Sequence, residues 1–264
     1  MIIDFHTHCF PDDMASKVVP FLANAAGITP ILDGTLNGLK DSMNRAGIDF
    51  CVIQNIATKP NQTPIINDWA AQVQGSGIIS FGSLHPDYSY WEEELIRIKK
   101  LGIKGLKFHP DYQCFFIDEE KMYKIYEKIF ELDLIILFHA GLDIGLDPPY
   151  HCTPERLLKL IEKFPGGKIV AAHMGGYEYW DEVEMLLAGK DIYLDTSYSF
   201  NDLGPEKMSR LIKLHGTHKV LFGTDSPWTD QGVELKNINS LQLAEEDERK
   251  ILGENAAKLL KVKE

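Results

Sequence analysis

The chain has no excess of basic residues and no long apolar stretch. Its 27 lysines and arginines face 39 acidic residues, which gives a formal charge of −12 at pH 7. This balance argues against nucleic acid or an anionic membrane as the main partner. No stretch approaches the ~20 apolar residues of a membrane-spanning helix, and the first residues lack the pattern of a signal peptide. We therefore expect a cytoplasmic protein.

Cysteine and phosphate-binding glycine patterns are also scarce. The four cysteines form no Cys-x-x-Cys pair and no dense framework, so we expect reduced thiols. No Gly-rich phosphate loop follows an early strand, which disfavours an open, doubly wound sheet.

The chain does contain a regular succession of short apolar runs. Most are continuously apolar, as is typical of parallel strands covered on both faces, and helical periodicity lies between them. The succession predicts an α/β fold, a single-domain (β/α)8 barrel (TIM barrel) over residues 1–264. The eight runs are 1–5, 50–55, 78–83, 103–108, 134–139, 168–173, 191–195 and 219–224.

Four connections can be predicted in more detail. An amphipathic pattern predicts a helix over 121–130. Thr153 and Pro154 have the residue types of a helix N-cap and first turn. The last helix is expected from about residue 247 to residue 260. Prolines and glycines interrupt residues 9–36, which predicts an extended loop with short helical pieces over the barrel mouth.

Histidines are concentrated at the ends of the predicted strands. His6 and His8, two residues apart on the first strand, point to the same face and can bind one metal ion together. Barrels of this type place their active sites at the carboxyl ends of the strands. Six of the nine histidines lie there: His6, His8, His85, His109, His139 and His173.

Motifs at four of these strand ends resemble the metal-dependent amidohydrolase superfamily. The resemblance is to its amidohydrolase-2 branch, which also contains carboxymuconate-semialdehyde-type decarboxylases. The motifs follow the first, fifth, sixth and eighth predicted strands and span the chain in the family's order. They are DFHTH at 4–8, FHAG at 138–141, AHMGG at 172–176 and FGTDSPW at 222–228.

The resemblance implies a metal centre and roles for its residues. His6, His8, His139 and Asp225 are implied to hold a divalent ion, which we expect to be zinc. Asp225 is also implied to be the general base that takes a proton from a metal-activated water. His173 is implied to be catalytic beside one ion, or a ligand if two ions bind. One ion is our expectation and two are the alternative.

Lys107 and Asp4 each have more than one predicted role. Lys107 points into the barrel if Leu106 and Phe108 face the helices. It is then a substrate-binding ammonium, a partner in an ion pair with Asp4 or Asp195, or a carboxylated lysine that bridges two ions, as in some relatives. Asp4 either orients a ligand imidazole or makes a buried hydrogen bond.

Four further residues are expected to line the substrate pocket. His85 and His109 begin matched His-Pro turns at adjacent strand ends, and simple loop structure is the alternative for both. His151 lies in the fifth strand-to-helix loop, where an exposed position is the alternative. Trp228 ends the motif of the eighth strand.

These residues predict a metal-dependent hydrolase that attacks an amide, lactone or related carbonyl bond of a small molecule. The alternative is non-oxidative decarboxylation of an aromatic or unsaturated acid. Arginine would be a good clamp for the carboxylate of such a substrate, but the chain has five arginines, all in helix-like stretches. A remote alternative is a non-catalytic barrel that binds a metal or ligand. The resemblance also makes a homodimer an expectation.

Overall fold

The computed structural model describes residues 1–262; residues 263 and 264, at the end of the predicted domain, lie outside the described part. Every predicted apolar run overlaps a strand, and the third contains two short ones on either side of Phe81. The strands are β1 Ile3–Thr7, β2 Phe50–Ile53, β3 Ile78–Ser80, β4 Gly82–Ser83, β5 Gly105–Phe108, β6 Ile135–Phe138, β7 Ile169–Ala171, β8 Tyr193–Asp195 and β9 Val220–Leu221.

The strands close into a ring. Sheet pairing is parallel from β1 to β3 and from β4 to β9, and the Phe81 N–H donates to Ile53 O across the junction. The seam between the last and first strands is closed by Phe5 N–H to Phe222 O at 2.8 Å and by Asp225 N–H to His6 O at 2.7 Å. The predicted (β/α)8 barrel is confirmed, and an open sheet is excluded.

Helices surround the ring. In α5, the buried residues Met122, Ile125, Tyr126 and Ile129 recur every three or four positions, which places one apolar face against the barrel. The helices are α1 Asp12–Ala26, α2 Leu36–Ala46, α3 Thr63–Gln72, α4 Trp91–Lys100, α5 Glu120–Glu131, α6 Pro154–Lys163, α7 Trp180–Leu186, α8 Phe200–His215, α9 Gln231–Asn239, α10 Glu245–Arg249 and α11 Asn255–Leu260. Between residues 1 and 262, none of them has the length and apolar character that crossing a membrane requires.

The predicted helix starts are mostly confirmed, with one error. Thr153 occupies the N-cap of α6, although its side chain makes no capping hydrogen bond. The last helical segment joins α10 and α11 through a π-helical turn at Lys250–Glu254. The expectation of short helical pieces in residues 9–36 is wrong, because α1 runs for 15 residues with Pro20 inside it. Pro20 is exposed, so water can bind the carbonyl that loses its helical partner.

Side chains of the barrel strands separate into two layers. Leu106 and Phe108 of β5 belong to the core between barrel and helices. Phe5, Phe81 and other inward-facing apolar residues of the strands form an inner core, which is covered at one end by residues of α11. Because residues alternate along a strand, Lys107 points into the barrel, as predicted.

A bulge changes the alternation on β1. Asp4 pairs with Cys51, but Thr7 pairs with Ile53, so β1 has one more residue than β2 over this stretch. A bulge of this kind moves the following side chains to the other face. It explains how Phe5 can lie in the inner core while the next residue, His6, also points into the barrel.

Candidate metal centre

Three predicted ligand residues meet at the seam of the barrel. His6 Nε2 lies 3.2 Å from His8 Nε2, and Asp225 Oδ1 lies 3.4 Å from the first nitrogen and 3.1 Å from the second. Donor atoms about 2.0–2.2 Å from a tetrahedral zinc ion are roughly 3.4 Å apart. The three separations therefore fit one divalent ion.

The hydrogen bonds on the far side of both imidazoles support this fit. His6 Nδ1 lies 2.9 Å from Asp195 Oδ2, and His8 Nδ1 lies 2.8 Å from Gln54 O. Both partners accept hydrogen bonds, so each Nδ1 carries the proton and each Nε2 presents a lone pair. Two lone pairs and a carboxylate oxygen then converge without a proton between them. A divalent ion at their centre would be coordinated by all three.

Electrostatics keep these groups in the protonation states that metal ligands need. Burial, and then the nearby Lys107, hold the pKa of His6 well below its ordinary value, so the imidazole is neutral. Burial alone would raise the pKa of Asp225. The imidazoles of His6 and His8 outweigh it, and the pKa of Asp225 falls below its usual range. Asp225 also adopts a left-handed backbone with φ of 70°, a strained conformation of the kind found at functional sites.

Asp195, not Asp4, orients the His6 imidazole. Asp4 accepts hydrogen bonds from Thr224 Oγ1 at 2.6 Å, Gln231 Nε2 at 2.7 Å and the His6 backbone N–H at 3.2 Å. The predicted role of Asp4 in orienting a ligand imidazole is therefore wrong, and its alternative as a buried hydrogen-bond acceptor is confirmed. Burial raises the pKa of Asp4 to about 7.

His139 lies in a second group of donors. Its ring stacks on that of His109 with a centroid separation of 4.0 Å and an angle of 14°. Asp143 Oδ2 is 3.0 Å from His109 Nε2 and 3.9 Å from His139 Nε2. His139 Nδ1 lies 3.1 Å from His173 Nε2. The structure thus brings His139 and His173 together and places His139 beside the first group of donors, not inside it.

Lys107 is fully inside the barrel. Its Nζ lies 3.3 Å from His6 Nε2, and within residues 1–262 no carboxylate oxygen lies within 4.0 Å of it. The predicted ion pair with Asp4 or Asp195 is therefore wrong, because neither carboxylate comes close enough. Burial lowers the pKa of Lys107 to about 8 against the opposing effect of Asp195, so the side chain remains mainly an ammonium at neutral pH.

The predicted pocket residues have different surroundings. His85 Nδ1 accepts the Asp87 backbone N–H at 3.1 Å, which matches the alternative of loop structure. His151 Nδ1 lies 2.7 Å from Asp111 Oδ1. Trp228 lines a cavity of about 350 Å³ between the turns that follow β8 and β9, together with Tyr198, Phe200 and Glu234.

The sequence did not point to Ser197 or Asp143, and it indicated Asp195 only as a possible partner of Lys107. Asp195 ends the seventh apolar run and Ser197 lies two residues further on, the same spacing as His6 and His8. That spacing at a strand end was a usable signal. Asp143 lies in a loop without periodicity, so no pattern distinguished it from the other acidic loop residues.

A family comparison matches almost the whole chain to known proteins. The family model described as amidohydrolase covers residues 3–262. The chain belongs to the amidohydrolase family. The predicted resemblance is confirmed, and the chain is an enzyme of this family. No curated protein matches the sequence of this chain.

Solved structures share the fold of this chain at low sequence identity. A 2,6-dihydroxybenzoate decarboxylase bound to 2,6-dihydroxybenzoate has 18% identity and a TM-score of 0.76, over 99% of both chains. A dihydroxybenzoic acid decarboxylase from Polaromonas sp. JS666, with bound manganese and 2-nitroresorcinol, has 18% identity and a TM-score of 0.74, over 99% of this chain and 97% of that one. A probable 2-pyrone-4,6-dicarboxylic acid hydrolase from Acinetobacter baumannii has 17% identity and a TM-score of 0.69, over 98% and 99%.

Proposed function

We propose that this protein is a metal-dependent, non-oxidative decarboxylase of an aromatic or unsaturated carboxylic acid. The observation that carries the proposal is the Lys107 ammonium, 3.3 Å from His6 Nε2 and inside the barrel. It supplies a cation for a substrate carboxylate next to the proposed ion, which the arginines do not. Solved structures with the same fold include decarboxylases of hydroxylated benzoic acids, so the alternative has more support than the hydrolase predicted first.

The proposed ion is bound by His6, His8 and Asp225, with His139 as a fourth ligand. Two or three imidazoles and one carboxylate suit zinc, and manganese also accepts such ligands. When bound, the ion would act as a Lewis acid that stabilises negative charge on the substrate oxygens.

The chain's own residues have proposed roles around the substrate. Lys107 binds the carboxylate and orients the bond that breaks. The carbon that loses carbon dioxide takes up a proton, so the reaction needs a group that transfers one. Asp225 and His173 adjoin the ligand imidazoles and are the proposed catalytic pair, which positions the water that supplies this proton. His109, His151 and Trp228 are proposed to line the substrate pocket from three different loops.

Hydrolysis of a lactone or amide is the second candidate. The low pKa of Asp225 favours it, because a carboxylate that stays ionised at neutral pH can accept a proton from a nucleophilic water. A probable pyrone dicarboxylic acid hydrolase with the same fold makes a dicarboxylated pyrone the natural probe.

The test compares the two reactions on one enzyme preparation. Manganese- and zinc-loaded protein is incubated with 2,6-dihydroxybenzoate, 5-carboxyvanillate and 2-pyrone-4,6-dicarboxylate, and carbon dioxide and acid release are both recorded. A decarboxylase releases one carbon dioxide per substrate consumed. Acid release without carbon dioxide would reassign the protein to hydrolysis.

Two variants make this test specific to the site. Asp225→Asn removes a proposed ligand and catalytic group, and we expect activity to fall by at least about a hundredfold. Arg210→Gln changes an exposed arginine of α8 whose partner is Glu184 of α7, and its activity should match the wild type. Equal activity in both variants would contradict the assignment of the site.

A further inference from the structure

Ser197 lies behind the candidate metal centre, where four polar groups meet. Its hydroxyl donates to Asp195 Oδ1 and lies 3.0 Å from both His6 Nδ1 and His173 Nδ1. A hydroxyl has one proton and two lone pairs. Because the proton goes to the carboxylate, the two imidazole nitrogens must be donors and the hydroxyl accepts from both.

The remaining partners of these two nitrogens are also acceptors. Asp195 Oδ2 lies 2.9 Å from His6 Nδ1, and the Ser197 carbonyl lies 3.0 Å from His173 Nδ1. Asp195 Oδ1 accepts the backbone N–H groups of His173 and Ser197, both at 3.1 Å. The hydrogen-bond partners thus assign a proton to Nδ1 of each ring. With one proton per ring, Nε2 of both rings is left with a lone pair.

The tautomer of His173 determines that of His139. His173 Nε2 and His139 Nδ1 are 3.1 Å apart, and one of them must carry a proton for a hydrogen bond to form. Since His173 Nε2 is the acceptor, His139 Nδ1 donates. His139 Nε2 is then a buried lone pair with no hydrogen-bond partner in residues 1–262. Leaving such a polar atom unpaired is costly, and a metal ion would satisfy it.

His109 does not compete for this role. Its Nδ1 accepts the Tyr112 backbone N–H at 3.4 Å, so Nε2 carries the proton and donates to Asp143 at 3.0 Å. His109 and Asp143 therefore form a hydrogen bond and do not present two free ligand atoms. This pairing disfavours a second ion beside His139.

We propose that Asp195 and Ser197 are positioning residues that set the tautomers of His6, His173 and His139, so that His6 and His139 present unprotonated nitrogens to a single ion. His173 is not a ligand of a second ion, because its Nε2 accepts from His139. The inference rests on the metal site of the proposed function and is independent of which bond the enzyme breaks.

The experiment measures cobalt binding to the full-length protein by competition with a chromophoric chelator, without any substrate. Wild-type protein should bind one cobalt ion per chain. Ser197→Ala and Asp195→Asn should each weaken the affinity by about 10- to 100-fold, as changes behind metal-bound histidines do. In Asp195→Asn, the amide can donate to His6 Nδ1, which moves the imidazole proton to the nitrogen that faces the ion.

Three controls separate positioning from folding. Ser197→Thr keeps the hydroxyl and should restore the affinity to within about threefold of wild type. Asp4→Asn changes an equally buried aspartate that bonds the backbone of His6 and not its ring, so its affinity should also stay near wild type even if its melting temperature falls. The cobalt absorption spectrum should change in Ser197→Ala and Asp195→Asn but not in the two controls.

Several outcomes would overturn the proposal. These are two cobalt ions per wild-type chain, undiminished affinity in either Ser197→Ala or Asp195→Asn, and failure of Ser197→Thr to recover binding. Because no substrate enters the assay, these outcomes are independent of whether the protein decarboxylates or hydrolyses. If the protein is a decarboxylase and Ser197→Ala binds metal normally, the proposed function stands and this inference is rejected.

Discussion

At the scale of single residues, the Lys107 ammonium is expected to weaken binding of the ion. It lies 3.3 Å from His6 Nε2, so its charge opposes that of a cation bound to the same nitrogen. We predict that Lys107→Met binds zinc about 3- to 30-fold more tightly than wild type, because a like charge is removed from a buried site. Chelator competition measures this change. Decarboxylation by the variant should fall, since the proposed carboxylate partner is lost.

Lys104→Met is the matched control for this prediction. Lys104 precedes the same strand, and its Nζ bonds Leu260 O at 2.8 Å, near α11 and away from the donors. Its zinc affinity should equal that of wild type. If Lys107→Met instead loses a second ion, or if wild-type binding depends on added bicarbonate, the lysine acts as a carboxylated bridge and our prediction is wrong.

The residues of the site show what the sequence could predict. His6 and His8 could be paired because strand alternation puts them on one face, and the bulge lies before them. Asp4 was misplaced because the same bulge between Asp4 and Thr7 breaks the alternation that the argument assumed. Bulges depend on the partner strand as well as on the local residues, so one sequence does not reveal them.

At the scale of elements, the loops that follow β5 and β6 are joined by two His–Asp hydrogen bonds, and each loop supplies one histidine and one aspartate. His109 of the first loop bonds Asp143 of the second. Asp111 of the first loop accepts both the backbone N–H and the Nδ1 of His151 in the second, at 2.9 and 2.7 Å. The two contacts hold the second loop at both ends, so we expect it to be well ordered over the site.

We predict that Asp111→Ala loosens this second loop and leaves the barrel intact. The substitution leaves two donors of His151 without their acceptor, at a cost of about 1–3 kcal/mol. Amide hydrogen exchange should accelerate by about tenfold or more in residues 142–151, which corresponds to about 1.4 kcal/mol. Exchange in β5 and β6 should not change.

Asp87→Ala is the control for the loop experiment. Asp87 lies in the loop after β4 and contacts Lys121 in an exposed ion pair at 3.3 Å, which is worth little. Exchange in residues 142–151 should match wild type in this variant. Unchanged exchange in Asp111→Ala would show that the loop is held by other contacts.

At the scale of the whole molecule, buried acids make stability depend on pH. Glu234 of α9 is 4% exposed, and burial raises its pKa from 4.5 to about 7. Between these values, the folded protein holds a proton that the unfolded chain releases. The free energy of unfolding therefore falls as the pH rises through this window.

We predict that Glu234→Gln reduces this dependence. An amide does not ionise, so the variant should gain stability relative to wild type between pH 5 and pH 8, by at most about 3 kcal/mol. Melting temperatures at both pH values measure the gain. Glu206→Gln is an exposed change on α8. A plot of its melting temperature against pH should be parallel to that of wild type. Parallel curves for Glu234→Gln would contradict the assigned cause.

The sequence predicted the barrel because each of the eight apolar runs can be recognised from its own residues, without knowledge of long-range contacts. It did not predict α1, since Pro20 and Gly27 were read as interruptions. In the structure Gly27 ends that helix in a left-handed conformation with φ of 67°, and Pro20 lies on its exposed side. Whether a proline interrupts a helix depends on its exposure, which the fold determines.

The seam between β1 and the turn after β9 has a consequence for the order of folding. The donors His6 and His8 lie near one end of the chain and Asp225 lies near the other, so the three atoms meet only when the ring has closed. Contacts between such distant parts of a chain form late, because ordering the long intervening segment is entropically expensive. Uptake of a metal ion would therefore be the last step of folding, and the bound ion would hold the first strand and the turn after the last strand together.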